Sequence, residues 1–177
     1  IFESPHSYNG YGMYLDSTNG SNTAGSDTTS RSATLVTFVN SSDTNRRVNI
    51  NGETYVMYVF ANVSGYSKIG KYTGNGLVDG SYNFCGFAPK FLIIKRTDNS
   101  GNWAINDIKR DINTQYGNDA SVYANSSGLE TTSSSLNVDF LSHGFKLRSD
   151  NSSYNASGGT YLYIAFAELP YKNSRAR

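Results

Sequence analysis

The groups that could carry acid–base or covalent chemistry are few and scattered. The chain has two histidines, His6 and His143, and one cysteine, Cys85. His143-Gly144 reads as the turn between two strands, where an imidazole meets solvent rather than a substrate. Cys85 lies among Phe84, Phe87 and Ala88, which predicts a small buried side chain and not an activated thiolate. A glycosidase needs two carboxylates facing each other across a cleft. The glutamates are Glu3, Glu53, Glu130 and Glu168, and Glu53 and Glu168 flank strand-like runs as edge residues do. The sequence contains no Gly-x-Ser-x-Gly, no His-Glu-x-x-His, no phosphate-cradling glycine loop and no Cys/His zinc spacing. Ser149-Asp-Asn-Ser-Ser-Tyr154 could offer oxygens to calcium, but its spacing departs from the EF-hand loop, and a polar turn is the preferred reading. The expectation is a chain with no catalytic residue, no metal ligand and no cofactor.

Tyrosine opens a different chemistry. Sugars bind in water through aromatic faces flanked by Asn and Asp. Tyr8, Tyr11, Tyr116 and Tyr154 lie in such polar stretches, and Tyr8, Tyr11, Tyr116 and Asn118 are the candidate glycan contacts. Against this stands the use of tyrosine as a strand aromatic that covers hydrophobic surface.

Composition narrows the partners. The formal net charge is +1 and only 16% of residues are charged, so no basic footprint marks the chain for nucleic acid. Ser, Asn, Gly and Thr fill about two-fifths of the sequence, yet 14 Tyr and 9 Phe in short apolar runs argue for a fold over disorder. No run nears the ~20 apolar residues of a membrane helix, so no membrane insertion is expected. A single cysteine allows no intrachain disulfide. The six Asn-x-Ser/Thr sequons, at Asn19, Asn40, Asn62, Asn125, Asn151 and Asn155, reflect a chain rich in these residues. No signal peptide opens the sequence and residue 1 is Ile, which predicts a processed product or a fragment.

The elements that would position any site are partly written twice. Asn49-Ile-Asn-Gly-Glu-Thr-Tyr-Val-Met-Tyr-Val-Phe-Ala61 returns as Asn155-Ala-Ser-Gly-Gly-Thr-Tyr-Leu-Tyr-Ile-Ala-Phe-Ala167. Upstream, Tyr14-Leu-Asp-Ser-Thr18, Thr28-Thr-Ser30 and Thr37-Phe38 match Tyr123-Ala-Asn-Ser-Ser127, Thr131-Thr-Ser133 and Asp139-Phe140. A period near 100 residues exceeds the ~20–50 of solenoids and propellers and marks a domain-sized unit. The histidines have no counterpart in the other copy.

Runs of Tyr and β-branched residues between Gly/Asn/Ser clusters predict strands at Gly12–Leu15, Thr34–Val39, Val48–Asn51 and Thr54–Asn62 in the first copy. In the second they fall at Phe87–Arg96, Trp103–Asp107, Ala120–Asn125, Asn137–Leu141, Gly144–Arg148 and Thr160–Glu168. Asn75-Gly76 marks a tight turn, Asp98–Asn102 a hairpin loop, and Pro89 should sit at the start of the Phe87–Arg96 strand because it cannot donate to a central ladder. Helical signal is weak throughout. The expected fold is all-β, an antiparallel β-sandwich in two related copies. Residues 1–68 would be the C-terminal part of a first, incomplete sandwich, and residues 69–177 a second with a C-terminal tail. Phe91, Ile93, Tyr161, Tyr163 or Ile164, and Phe166 are the expected core, and residues 12–62 should superpose on 120–168. An incomplete sandwich leaves strand edges open. They would be completed by preceding sequence, by a neighbouring subunit or by strands of the same oligomer.

Lys71-Tyr-Thr-Gly-Asn-Gly76, Gly86-Phe-Ala-Pro-Lys-Phe-Leu-Ile-Ile-Lys-Arg96, Gly101-Asn-Trp103 and Asn155–Glu168 together resemble a repeat domain of virion structural proteins of tailed phages. The likeness covers about 71–177 well and 12–68 as a partial copy. It implies a fibre-like or appendage protein of the extracellular virion, used for display and host-surface attachment. Its implied partners are other virion proteins, a host glycan and further copies of itself, with a homotrimer favoured. The family carries no catalytic residues to transfer. Two other classes compete: a glycan-degrading appendage enzyme, which paired carboxylates in a groove would mark, and a bacterial surface adhesin repeat.

Overall fold

The structure is a computed structural model that describes residues 2–3, 12–21, 28–31, 35–38, 50–110, 120–132 and 136–168. The first strands are β1 (Phe2–Glu3), β2 (Gly12–Met13), β3 (Thr28–Arg31) and β4 (Val36–Phe38). After them come β5 (Ser67–Thr73), β6 (Tyr82–Phe84), β7 (Phe91–Arg96), β8 (Trp103–Asp107), β9 (Ala120–Tyr123), β10 (Thr131–Thr132), β11 (Val138–Leu141) and β12 (Gly144–Leu147). A four-residue helix α1 (Ser152–Asn155) precedes the last strand, β13 (Thr160–Phe166).

The architecture is an all-β antiparallel sandwich. A six-stranded sheet in the order β10-β9-β8-β7-β13-β5 faces a three-stranded sheet in the order β11-β12-β6. The run Tyr-Leu-Tyr-Ile-Ala is apolar on both faces, and a strand of that kind belongs in the middle of a sheet. β13 sits there, paired with β5 on one side and β7 on the other, and Tyr161–Ala165 are all buried. Tyr161, Tyr163 and Ala165 point with Leu92, Ile94 and Tyr72 at Val138, Phe145 and Leu147 of the small sheet. Leu162 points the other way, into a smaller cluster with Met13 and Trp103. Tyr72 stacks on Tyr161 at 4.9 Å between ring centres. Each large side chain buried here stabilises the fold by about 1.5–3 kcal/mol.

Three expectations are corrected. Phe91, Ile93 and Phe166 are only partly buried and lie on the outer face of the large sheet, whereas Leu92 and Ile94 are fully buried in the main core. Phe-Leu-Ile-Ile is apolar at every position, so alternation could not fix which parity faced inward. Thr54–Asn62 belongs to no strand, although its sequence copies β13. Among the described residues the strands of the first copy are not arranged as those of the second. β3 pairs with β4, while their counterparts β10 and β11 sit in different sheets. β5 and β6 went unassigned in the sequence because Lys68, Lys71 and Asn83 interrupt their apolar pattern. Cys85 is buried, Asp98–Asn102 joins β7 to β8, and His143 turns β11 into β12, as the sequence predicts.

The two most distinctive motifs form one structural unit. Buried Asn155 donates from Nδ2 to Asn75 Oδ1 (2.7 Å), Leu77 O (2.8 Å) and Ser149 O (2.9 Å), and its Oδ1 accepts from Asn75 N (2.9 Å). Gly74 must lack a side chain, since a Cβ there would stand 2.2 Å from Ala156 O. The turn before β13 is thereby fastened to the turn after β5.

Candidate interaction surface

The candidate sugar contacts Tyr8, Tyr11, Tyr116 and Asn118 lie outside the described residues. Tyr154, named with them in sequence, is fully buried, and its hydroxyl donates to Asn106 Oδ1 (3.1 Å). It is a core residue, because the polar stretch around it folds into α1 with Asn151 as the cap, Oδ1 accepting from Ser153 N.

Several carboxylates are held in ion pairs. Asp98 takes a two-pronged bond from Arg96 (3.0 and 3.1 Å) and accepts from Thr160 N (3.0 Å), and these bonds hold its carboxyl below the usual range. Asp79 meets Lys146 (2.8 Å) and Arg148, Asp139 meets Arg148 (2.6 Å), and Asp107 meets Arg110 (3.0 Å). Burial pushes the Cys85 thiol up to about 11. The His143 ring lies on an exposed turn, Nδ1 2.9 Å from Ser142 Oγ. Among the described residues, no three His, Cys, Asp or Glu side chains gather as a metal site, and no helix is long and apolar enough to cross a membrane.

The outer face of the large sheet is dressed by the segment after β2. Trp103 Nε1 donates to Tyr14 O (2.7 Å), Ser21 N to Thr97 O (2.8 Å) and Gly101 N to Thr18 O (2.8 Å). Lys95 is buried beneath this segment. Its Nζ donates to Thr18 O (3.1 Å) and Arg96 O (2.9 Å) and stands 5.9 Å from the centre of the Trp103 ring. Desolvation lowers its pKa to about 8.

The feature that does not belong to a packed fold is Thr54–Asn62. Every residue from Asn51 to Ser64 is exposed, with Val56 at 78% and Tyr58 at 80%. An exposed apolar strip this continuous is unusual on a protein otherwise so polar. It is also locally formed. Ile50 N donates to Tyr55 Oη (3.3 Å) as Ala156 N does to Tyr161 Oη (2.8 Å), and Glu53 N donates to Ile50 O (3.2 Å) as Gly159 N does to Ala156 O (2.9 Å). Gly52 and Gly158 take the same left-handed conformation, at φ 85° and 72°. The strip thus repeats the entry turn of β13 but has no paired strand beside it among the described residues.

Its far end is closed by side chains. Val63 and Ser67 exchange both backbone bonds at 3.0 Å. The next rung of a hairpin with β5 would join Ala61 to Ile69. Instead Ser67 Oγ donates to Ala61 O (2.7 Å) and Ile69 N donates to Asn62 Oδ1 (2.7 Å). Phe60 then leans on Phe166 at 5.9 Å. Sequence reading missed Asn62 and Ser67 as caps. The signal was a Ser/Asn pair at the ends of a short Gly turn, where such side chains compete with backbone pairing.

No curated protein and no solved structure matches this chain. A family model described as a domain of unknown function, DUF7483, matches residues 3–170, spanning both copies of the duplicated motif, and the chain therefore belongs to the DUF7483 family.

Proposed function

We propose that this chain is a structural segment of a tailed-phage virion, part of a fibre or appendage that displays a surface and attaches the particle to its host. The observation that carries the reading is the duplicated strand motif: one copy builds a sandwich core and the other is held out as an apolar strip. A chain of that design is a building block for assembly. In this reading it works outside the cell, as a homo-oligomer beside other virion proteins. It binds and does not catalyse, a view supported by the ion pairs that occupy Asp79, Asp98, Asp107 and Asp139. Tyr8, Tyr11, Tyr116 and Asn118 are the proposed host-glycan contacts, each weak, with strength gained from several copies engaging one surface.

The test has two arms. Mass spectrometry of purified particles should find this sequence among the virion proteins, and the recombinant chain should compete with particles for host cells. A sequence found only in the host envelope would replace the reading with a bacterial adhesin. Incubation with glycan-array hits should leave them intact. Shortened sugar chains, lost on mutating one Asp or Glu, would make it an appendage enzyme.

A further inference from the structure

We infer that Thr54–Asn62 is an assembly strand that pairs antiparallel with the same segment of a second copy of this chain. The inference deepens the homo-oligomer part of the reading above by naming the contact. Four observations lead to it. The strip repeats, position by position, the sequence of a strand that is paired on both sides and buried on both faces. Its own amide and carbonyl groups from Thr54 to Phe60 have no partner among the described residues. Pairing within the chain is blocked at its second rung by the Asn62 and Ser67 side chains. The outer edge of β5 in a second copy carries those same caps at the Ala61 and Ile69 positions, and among the described residues the strip is a longer uncapped run than the edge strands β6, β10 and β11.

Charge selects the orientation. No ionisable acid or base lies between Glu53 and Lys68 other than tyrosine hydroxyls. A parallel pair would set Glu53 beside Glu53, and like charges directly opposite are unfavourable. The antiparallel pair that uses the whole segment sets Thr54 against Asn62, Val56 against Phe60, and Tyr58 against its own counterpart. Aromatic and β-branched side chains then face each other across the pair. The Phe60–Phe166 contact lays this ribbon against the outer faces of both sandwiches.

The contact is twofold, so by itself it makes dimers, where the resemblance favoured a homotrimer. The experiment is light scattering of the full 177-residue chain at about 100 µM beside Tyr58→Lys, with near-ultraviolet circular dichroism of Trp103 as the check on folding. The parent should have an even number of chains, and the variant half as many with an unchanged spectrum. A second variant, Tyr58→Cys, keeps the question open to decision should the lysine form misfold. Opposed residues of an antiparallel pair stand ~4.5–5.5 Å apart at Cα, within disulfide range. Mild oxidation should link Tyr58→Cys chains in pairs, more readily than Val56→Cys or Phe60→Cys, while buried Cys85 stays silent. An oligomer unmoved by Tyr58→Lys and unlinked through position 58 overturns the strand pairing and leaves the homo-oligomer standing. A monomeric parent overturns both. So does a monomer that floats with phosphatidylcholine vesicles, which would give the strip to a lipid surface.

Discussion

Asn49–Ala61 and Asn155–Ala167 are nearly the same peptide in two environments, and the contrast separates what local sequence decides from what neighbours decide. Both copies make the same turn, with the same left-handed glycine and the same backbone amide bonded to a tyrosine hydroxyl. Up to that tyrosine the structure is local. Beyond it the copies part. Tyr161–Phe166 has β5 and β7 alongside and is buried at five of its six residues, whereas Tyr55–Phe60 has neither and stays exposed. β-propensity is a statement about fit to a half-buried pleated surface, and without that surface it produces no strand.

Hydrogen exchange should show the largest difference. Measured on Tyr58→Lys, in which pairing of the strip should be lost, amides of 161–166 should open only with global unfolding and be protected more than about 10³-fold. Amides of 55–60 should be protected less than about tenfold. Equal protection in the two copies would mean that the strip has a partner within the chain, and the comparison would collapse. In the parent, protection of 55–60 should rise with protein concentration while that of 161–166 stays constant.

Side-chain truncation should come next in size. Tyr161→Ala removes a fully buried ring stacked on Tyr72, together with its bonds to Ser152 O (2.7 Å) and Ala156 N (2.8 Å). It should cost about 3–5 kcal/mol in urea unfolding. Tyr55→Ala removes the equivalent ring from an exposed position and should cost less than about 0.5 kcal/mol in dilute protein. A cost above 2 kcal/mol at Tyr55 would show that the strip supports the sandwich.

Lys95 tests what surrounds the buried copy, since it is the register partner of Leu162 on β7. Its folded-state pKa, about 8, lies below its ordinary value because burial penalises the cation. Both states carry the proton below pH 8, and the folded state bears the penalty, on the order of 3 kcal/mol. Between pH 8 and the unfolded value the unfolded chain binds more protons, so stability rises with pH. Cys85 acts oppositely above pH 9, where its raised thiol pKa takes stability away. The clean window is therefore pH 8 to 9. Parent protein should gain stability across it and Lys95→Met should not. A parent flat over that window would mean that Lys95 is solvated in its folded environment.

Much of this fold is legible in the sequence, and the reasons for the exceptions are physical. Trp103–Asp107 and the hairpins around 98–102 and 142–143 follow from alternation and turn residues, which are local. The parity of β7 is not local, because Phe91–Ile94 is apolar on both faces and only the position of the small sheet chooses Leu92 and Ile94. The burial of Lys95 depends on carbonyls of Thr18 and Arg96, one of them 77 residues away. The surface strip is legible as a repeat, but its sequence predicts a paired strand. Its exposure depends on the Asn62 and Ser67 side chains, whose choice of partner no periodicity records.

The smallest effect makes the sharpest comparison. Gly52 and Gly158 occupy equivalent turns at positive φ, and a Cβ added at either would meet nothing within 4 Å. Gly→Ala therefore carries no steric clash at either site, and the cost is the left-handed backbone alone, about 1 kcal/mol. That cost enters global stability only where the turn must be kept for the fold to exist. Gly158 is such a place: its amide donates to Gly74 O (3.0 Å), and the turn delivers Tyr161 to the core. Gly158→Ala should lower unfolding stability by about 1 kcal/mol. The turn at Gly52 feeds an exposed segment, so Gly52→Ala should relax locally and lower stability by less than about 0.3 kcal/mol in dilute protein. The same replacement should weaken association measurably, because a loosened turn no longer presets the strip for pairing. Equal costs at the two glycines in dilute protein would show that the two turns are coupled to the same core, and that the exposed copy is part of the sandwich after all.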